Sequence, residues 1–233
     1  MNRIIPEAPN LFDARSIVYQ SSDMATVDPF ATSTTGTGAA VTFVSVLASI
    51  GTQSNRFGIA SLATGTTTTG RANVLTPTMD QIVPGFGRIA FSAIVRTPAS
   101  LSDGTNRYAI KVGLGTLSGS VVDATGASFR YRDNINSGKW QLMTTDSGSV
   151  QTFTDSGVTV AADTWYRLDV IVNADATKIQ YFINGSLVGT DTANLQSGTS
   201  IMLGAQVMIL KALGTTSRIC YVDQMSFEME VTR

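Results

Sequence analysis

The run Phe227-Glu228-Met229-Glu230-Val231 puts two carboxylates on one side of an extended backbone, opposite Phe227, Met229 and Val231. At about 3.3 Å of rise per residue, Glu228 and Glu230 stand roughly 6.6 Å apart. That is beyond the ~5–5.5 Å of retaining glycosidases and at the near edge of the ~6.5–9.5 Å of inverting ones. A glycoside-cleaving pair is therefore one reading. A solvated strand face explains the same two residues. A second position with chemical potential is Asp223, which parity places in a row with Ile219, Tyr221, Met225 and Phe227. A carboxylate in an apolar row costs several kcal/mol unless it is paired or holds a cation. A structural calcium would suit its oxygen chemistry. A bulge turning Asp223 outward, or an arginine partner, answers the same difficulty.

The third set is aromatic and cationic: Tyr131, Arg130, Arg132, Trp140 and Trp165. Exposed aromatics on a sheet face stack on sugar rings, and arginines beside them donate to hydroxyls, so these residues form a candidate glycan site. Core packing is the competing fate for large aromatics at alternating positions. Asp103, Asp133 and Asp146 fall in loops, where turn chemistry accounts for them. There are no histidines, which removes the usual general base and the usual zinc ligand. No P-loop, dinucleotide fingerprint or nucleophile–base pair is present. No residue is assigned a catalytic role, no cofactor is expected, and structural calcium at Asp223 is the one metal considered.

The elements that must hold these residues are strands. From Thr164 to Asp191, two alternating runs are joined by a polar turn and followed by a second reversal at Asn184-Gly185. Tyr166, Leu168, Val170 and Val172 share one face, with Arg167, Asp169 and Asn173 on the other. Ile179, Tyr181 and Ile183 repeat the pattern. Asn-Gly suits a two-residue type I′ turn, which needs φ > 0 at both central positions. Ile89, Phe91, Ala93 and Val95 alternate, as do Tyr108, Ile110, Val112 and Leu114. Phe57–Thr64, Val150–Phe153, Val158–Val160, Ile201–Leu213 and Ile219–Val231 read as further strands. Ala39–Ile50 fits strand or helix, and its β-branched residues favour strand. Short strands separated by turns, without an amphipathic helix, predict an all-β antiparallel β-sandwich or jelly roll.

Composition sets the outer bounds. At 233 residues the chain can form one large sandwich. Charged residues are only 14%, while the hydrophobic content of 43% argues against disorder. A net charge of −1 gives no footprint for nucleic acid. Cys220 is the single cysteine, so no intramolecular disulfide forms, and its strand context predicts a small buried hydrophobe. No secretion signal is expected, since Pro6 interrupts the first apolar residues. The longest apolar run, Ala39–Ile50, is too short for a bilayer span of about 20 residues, so no membrane insertion is expected.

Two stretches carry a family resemblance. Trp165 through Val188, a Trp-led strand, a polar turn and a strand ending Phe-Ile-Asn-Gly-x-x-Val, resembles the concanavalin A-like (laminin G-like) jelly-roll superfamily. Ser61–Ala72, SLATGTTTTGRA, resembles a segment of tailed-bacteriophage structural proteins. The resemblance implies a non-enzymatic virion structural protein, made in the host cytoplasm and displayed on the particle as a capsid decoration or a head or tail fibre component. It also implies a homo-oligomer, commonly a trimer, with other virion proteins as partners. The alternative is a carbohydrate-binding, receptor-recognition module of a tail fibre. Residues 1–38 carry Pro6, Pro9 and Pro29 and read as an N-terminal arm ahead of a sandwich over 39–233. Ile4, Ile5, Leu11 and Phe12 would be the arm's apolar contacts with a neighbouring subunit or protein.

Overall fold

The computed structural model describes residues 15–24, 29–44, 58–77, 82–116, 126–132, 136–145, 150–192, 198 and 202–232. Among the described residues fifteen strands follow one another. They are β1 (Arg15–Ser22), β2 (Ala31–Thr35), β3 (Ala39–Val44), β4 (Ile59–Thr64), β5 (Arg71–Leu75), β6 (Ile89–Arg96), β7 (Arg107–Gly115) and β8 (Gly126–Arg132). Then come β9 (Lys139–Thr145), β10 (Gln151–Thr159), β11 (Trp165–Val172), β12 (Ile179–Ile183), β13 (Ser186–Asp191), β14 (Gly204–Leu213) and β15 (Ile219–Thr232). The only helical piece among the described residues is a 3-10 turn at Asn136–Gly138.

They form two antiparallel sheets. The eight-stranded sheet runs β13-β12-β11-β6-β15-β4-β3, with β1 also paired to β15; the seven-stranded sheet runs β10-β9-β8-β7-β14-β5-β2. The architecture is thus an all-β antiparallel sandwich, as the alternation predicts. The period-2 pattern of β6 is visible in its burial: Ile89, Phe91, Ala93 and Val95 are buried, and the residues between them are half-buried. Asn184 and Gly185 form the predicted reversal with φ of 51° and 82°.

Aromatic rings from both sheets fill the middle. Tyr166 and Tyr181 come from the eight-stranded sheet and Tyr108, Phe129, Tyr131 and Trp140 from the seven-stranded one. Trp140 meets Tyr166 with ring centroids 5.6 Å apart, and Phe129 meets Tyr181 at 5.4 Å. Both are edge-on, the arrangement the ring quadrupole favours. Cys220 is buried among this core, and burial pushes its thiol up to about 12.

Strand pairing bears on two expectations. The first is the arm. β1 pairs residue by residue with β15 from Arg15↔Thr232 to Ser22↔Met225. β2 pairs with β5 and makes one edge of the seven-stranded sheet, while Met24 and Phe30 are core residues. Residues from Arg15 onward therefore belong to the sandwich. The Ser/Thr-rich ATSTT of β2 lacks apolar alternation because it is an edge strand with little to bury. Ile4, Ile5, Leu11 and Phe12 lie outside the described residues.

The second concerns Asp223, where the bulge offered from sequence is the reading the pairing bears out and the inward apolar row is not. β15 carries a bulge there: Val222 is opposite Val95 and Gln224 opposite Ile94. One extra residue reverses parity. Cys220 and Val222 face the core before it, Met225 and Phe227 after it, and Tyr221 points out. Asp223 is half-buried at the bulge and is not a member of an inward apolar row.

Candidate functional site

Strand register builds a groove of about 380 Å³ on the outer face of the eight-stranded sheet. Its floor is low because three neighbouring strands place small residues side by side. Ser92 of β6 stands between Asp169 of β11 and Ser226 of β15, with Ala90 one row along. Longer side chains make the rim: Arg88, Arg167, Phe182 and Glu228. Nε of Arg167 donates to Oδ1 of Asp169 at 2.9 Å, joining an open guanidinium to a carboxylate whose side chain is only 12% exposed. The Asn184 turn holds this corner in place. Its Oδ1 accepts the Arg167 backbone N–H at 2.8 Å, and its own N–H donates to the Arg167 carbonyl at 2.8 Å. Cationic donors, carboxylate acceptors, two hydroxyls and one aromatic edge suit a neutral polyhydroxylated ligand.

The outer face of the seven-stranded sheet is different in kind. One register row runs Asn73–Met208–Lys111–Arg130–Gln141 across β5, β14, β7, β8 and β9. The next places Gln206 opposite Gly113, then Ser128 and Met143. All of these are buried although they point away from the sandwich interior. Arg130 donates to Oε1 of Gln141 through Nε at 3.1 Å and Nη2 at 2.7 Å, and its guanidinium lies 4.0 Å from the centroid of the half-exposed Phe153 ring. Burial, and then the nearby Arg132 charge, lower Arg130 to about 10. Burial lowers the Lys111 ammonium to about 7. Both amide atoms of Asn73 and of Gln206, Oγ of Ser128 and Oγ1 of Thr145 have no hydrogen-bond partner. Each such buried group left unmet costs about 1–3 kcal/mol.

The glycan set predicted from sequence does not assemble. Trp140 and Tyr131 are fully buried between the sheets, with no ring face for a sugar. Arg132 is half-buried on the outer side of the seven-stranded sheet. Trp165 lies on the opposite sheet, half-buried, in a row Tyr221–Arg96–Trp165. The Arg96 guanidinium sits 6.0 Å from the Trp165 ring and 5.8 Å from that of Tyr221, and pairs with Asp163 at 2.6 Å. Glu228 does reach a site, as one wall of the groove, whereas Glu230 is outside its lining. No three metal-ligating side chains converge among the described residues, at Asp223 or elsewhere. Arg167 and Asp169 were legible as the outer face of β11. What sequence could not show is that Ala90, Ser92 and Ser226 open space beside them.

Comparison with known proteins agrees on the fold. Across 93% of this chain and 87% of that one, the structure superposes on the protein of unknown function SO2946 from Shewanella oneidensis MR-1, with a TM-score of 0.67 at 15% identity. Peanut lectin matches with a TM-score of 0.61 at 12% identity, over 94% of this chain and 100% of its own. The carbohydrate recognition domain of Emp47p matches at 0.53 and 8% identity, over 86% and 88%. Among curated proteins, no sequence matches this chain. The family model described as SO2946-like, C-terminal domain, matches residues 55–223. That span takes in β4 to β14 and the start of β15, including most of both faces described above, and on it the chain belongs to the SO2946-like C-terminal domain family.

Proposed function

We propose that this protein is a non-enzymatic structural component of a bacteriophage virion, displayed on the particle surface as a capsid decoration or fibre component and anchored through its first residues. The observation that carries the reading is the β1–β15 ladder. Arg15 lies opposite Thr232 at the end of the longest strand, so the residues before Arg15 depart from one fixed point on the rigid body. Ile4, Ile5, Leu11 and Phe12 then supply an apolar contact to a neighbouring subunit or virion protein, and a trimer follows from the same family resemblance. The low charge and the Ser61–Ala72 segment support it. The test removes residues 1–14 and compares co-sedimentation with particles, alongside the thermal melt. Attachment lost with an unchanged melt is the expected result; attachment retained overturns the reading.

A second reading, saccharide recognition at the surface, is favoured by the groove around Arg167 and Asp169. Its mixed donors and acceptors match sugar hydroxyls, and Phe182 offers an apolar edge. A glycan array with the wild type and Asp169→Asn tests it. Specific binding lost in the variant supports it, and no binding to any neutral glycan removes it.

A further inference from the structure

The groove around Arg167 and Asp169 holds polar groups that the protein itself leaves unused. Nε of Arg167 donates to Oδ1 of Asp169, and neither side chain makes a further hydrogen bond or ion pair. Oδ2 of Asp169 and the two Nη atoms of Arg167 are therefore open, an acceptor beside donors at one corner. Solvent reaches them: the Arg167 side chain is 59% exposed and that of Asp169 keeps 12%. Ser92 and Ser226 on the floor and Arg88 and Glu228 on the rim are half-buried. None of these four side chains has a hydrogen-bond or ion-pair partner. Two arginines face two carboxylates, so the groove has no net charge with which to select an ionic ligand.

Apolar carbon borders the same corner. Phe182 of β12 is the direct register partner of Asp169, and Ile171 is two residues along β11 on the same face. Both line the groove and are half-buried. Opposite residues on one sheet face hold their Cβ atoms about 4.5–5.5 Å apart, so the Phe182 ring begins beside the carboxylate. Leu187 of β13, opposite Phe182 and 53% exposed, carries the apolar wall on to the sheet edge. A carboxylate oxygen, a guanidinium and hydrocarbon thus meet within reach of one small functional group. That group must donate, accept and end in carbon. A hydroxyl brings no carbon, a carboxylate no donor and an ammonium no acceptor. A secondary acetamide brings all three.

Resting on the saccharide reading of this groove, we propose that its ligand is an N-acetylated amino sugar, a 2-acetamido-2-deoxyhexose. The amide N–H donates to Oδ2 of Asp169 and the amide carbonyl accepts from an Nη of Arg167, each a charge-assisted bond. The methyl group packs on Phe182 and Ile171 and leaves water. Ser92 and Ser226 take ring hydroxyls, which donate and accept as serine does. Arg88 and Glu228 meet the hydroxyls at the open end. A volume of about 380 Å³ is in the range of small-molecule sites and leaves room for the ring beyond the acetamide. A plain hexose puts a hydroxyl where the acetamide would be and leaves the apolar wall uncovered. The unacetylated amino sugar sets a positive charge beside Arg167 and offers it no acceptor. Both are therefore poorer ligands.

The test is a protein-observed NMR titration of the full chain with the methyl glycosides of N-acetylglucosamine and N-acetylgalactosamine. The matching glycosides of glucose and galactose are titrated alongside. Asp169→Asn, Phe182→Thr and Ser226→Ala are compared with the wild type, and a thermal melt of each verifies the fold. The expected result is that one acetamido glycoside or both bind about tenfold or more tighter than the plain counterpart, the scale of a hydrogen bond to a charged group. Asp169→Asn and Phe182→Thr should remove most of that preference. Ser226→Ala should weaken the acetamido sugar while the preference stays. Equal affinity for acetamido and plain glycosides, or a preference kept in both Asp169→Asn and Phe182→Thr, would overturn the acetamide assignment and leave the saccharide reading standing. Absence of binding by all four glycosides would also overturn the assignment, while the saccharide reading itself falls only if the glycan array is blank as well.

Discussion

The phenol of Tyr181 on the eight-stranded sheet lies 3.0 Å from the hydroxyl of Thr144 on the seven-stranded sheet, joining the two layers by a hydrogen bond inside the core. Tyr181 also donates to the Met143 carbonyl at 3.0 Å, so its one proton is committed there and Thr144 is the donor between the two hydroxyls. Burial raises the phenol well above its ordinary value, which keeps it protonated. Tyr181→Phe should cost about 1–3 kcal/mol, because it leaves a buried hydroxyl and a carbonyl unmet. Adding Thr144→Val should recover part of that loss. A double-mutant cycle by urea denaturation measures the coupling.

Trp140 touches Phe129, Tyr131 and Tyr166 at the centre of the sandwich. Trp140→Ala should destabilise by about 3–5 kcal/mol through the cavity it leaves. Any loss of ligand binding in that variant should follow the unfolded fraction, as circular dichroism run alongside the binding assay will show.

Lys111 gives the fold a pH dependence of known sign. Its value is about 7 in the fold and 10.5 for the free group, so between them the unfolded chain holds more protons. Stability therefore rises with pH in that window. From pH 7 to pH 8 the gain should be on the order of 1 kcal/mol. The Cys220 thiol, with an ordinary value of 9.0, stays largely protonated in both states over that range. Urea midpoints at the two pH values should separate for the wild type and converge for Lys111→Met.

The Asn184-Gly185 reversal sets both the β12–β13 hairpin and the Arg167 corner of the groove. Gly185→Ala puts a Cβ into a left-handed conformation at a cost of about 1–2 kcal/mol. Asn184→Gly should cost less than Asn184→Ala, because glycine tolerates the backbone although it gives up the bond to the Arg167 N–H. Thermal melts of the three variants establish the order.

Much of this fold is legible because burial acts on alternate residues. β6, β11 and β12 each bury one side and are legible in Ile89–Val95, Tyr166–Val172 and Ile179–Ile183. β7 is half legible. Its inward side, Tyr108 to Leu114, follows the pattern, but Lys111 on the other side looks in sequence like any solvated lysine. Nothing local reveals that four more strands carry buried polar atoms without hydrogen-bond partners into three adjacent rows of the same face. That face depends on long-range register, as does the groove, whose floor is defined by which small residues become neighbours. The Asp223 bulge is legible only indirectly, as one answer to a carboxylate in an apolar row. It changes parity by one residue without a glycine or proline to mark it, so alternation alone carries the row through it.

The position of β1 has a mechanical consequence. Its first residue faces the last paired residue of β15, and the ladder bonds lie across both strands. A load pulling those two chain ends apart would act on one hydrogen-bonded pair at a time, as a zip opens, instead of shearing the whole ladder together. Tension applied through one end alone would spare this weak direction, and the proposed tether by the leading residues would load the body in that way.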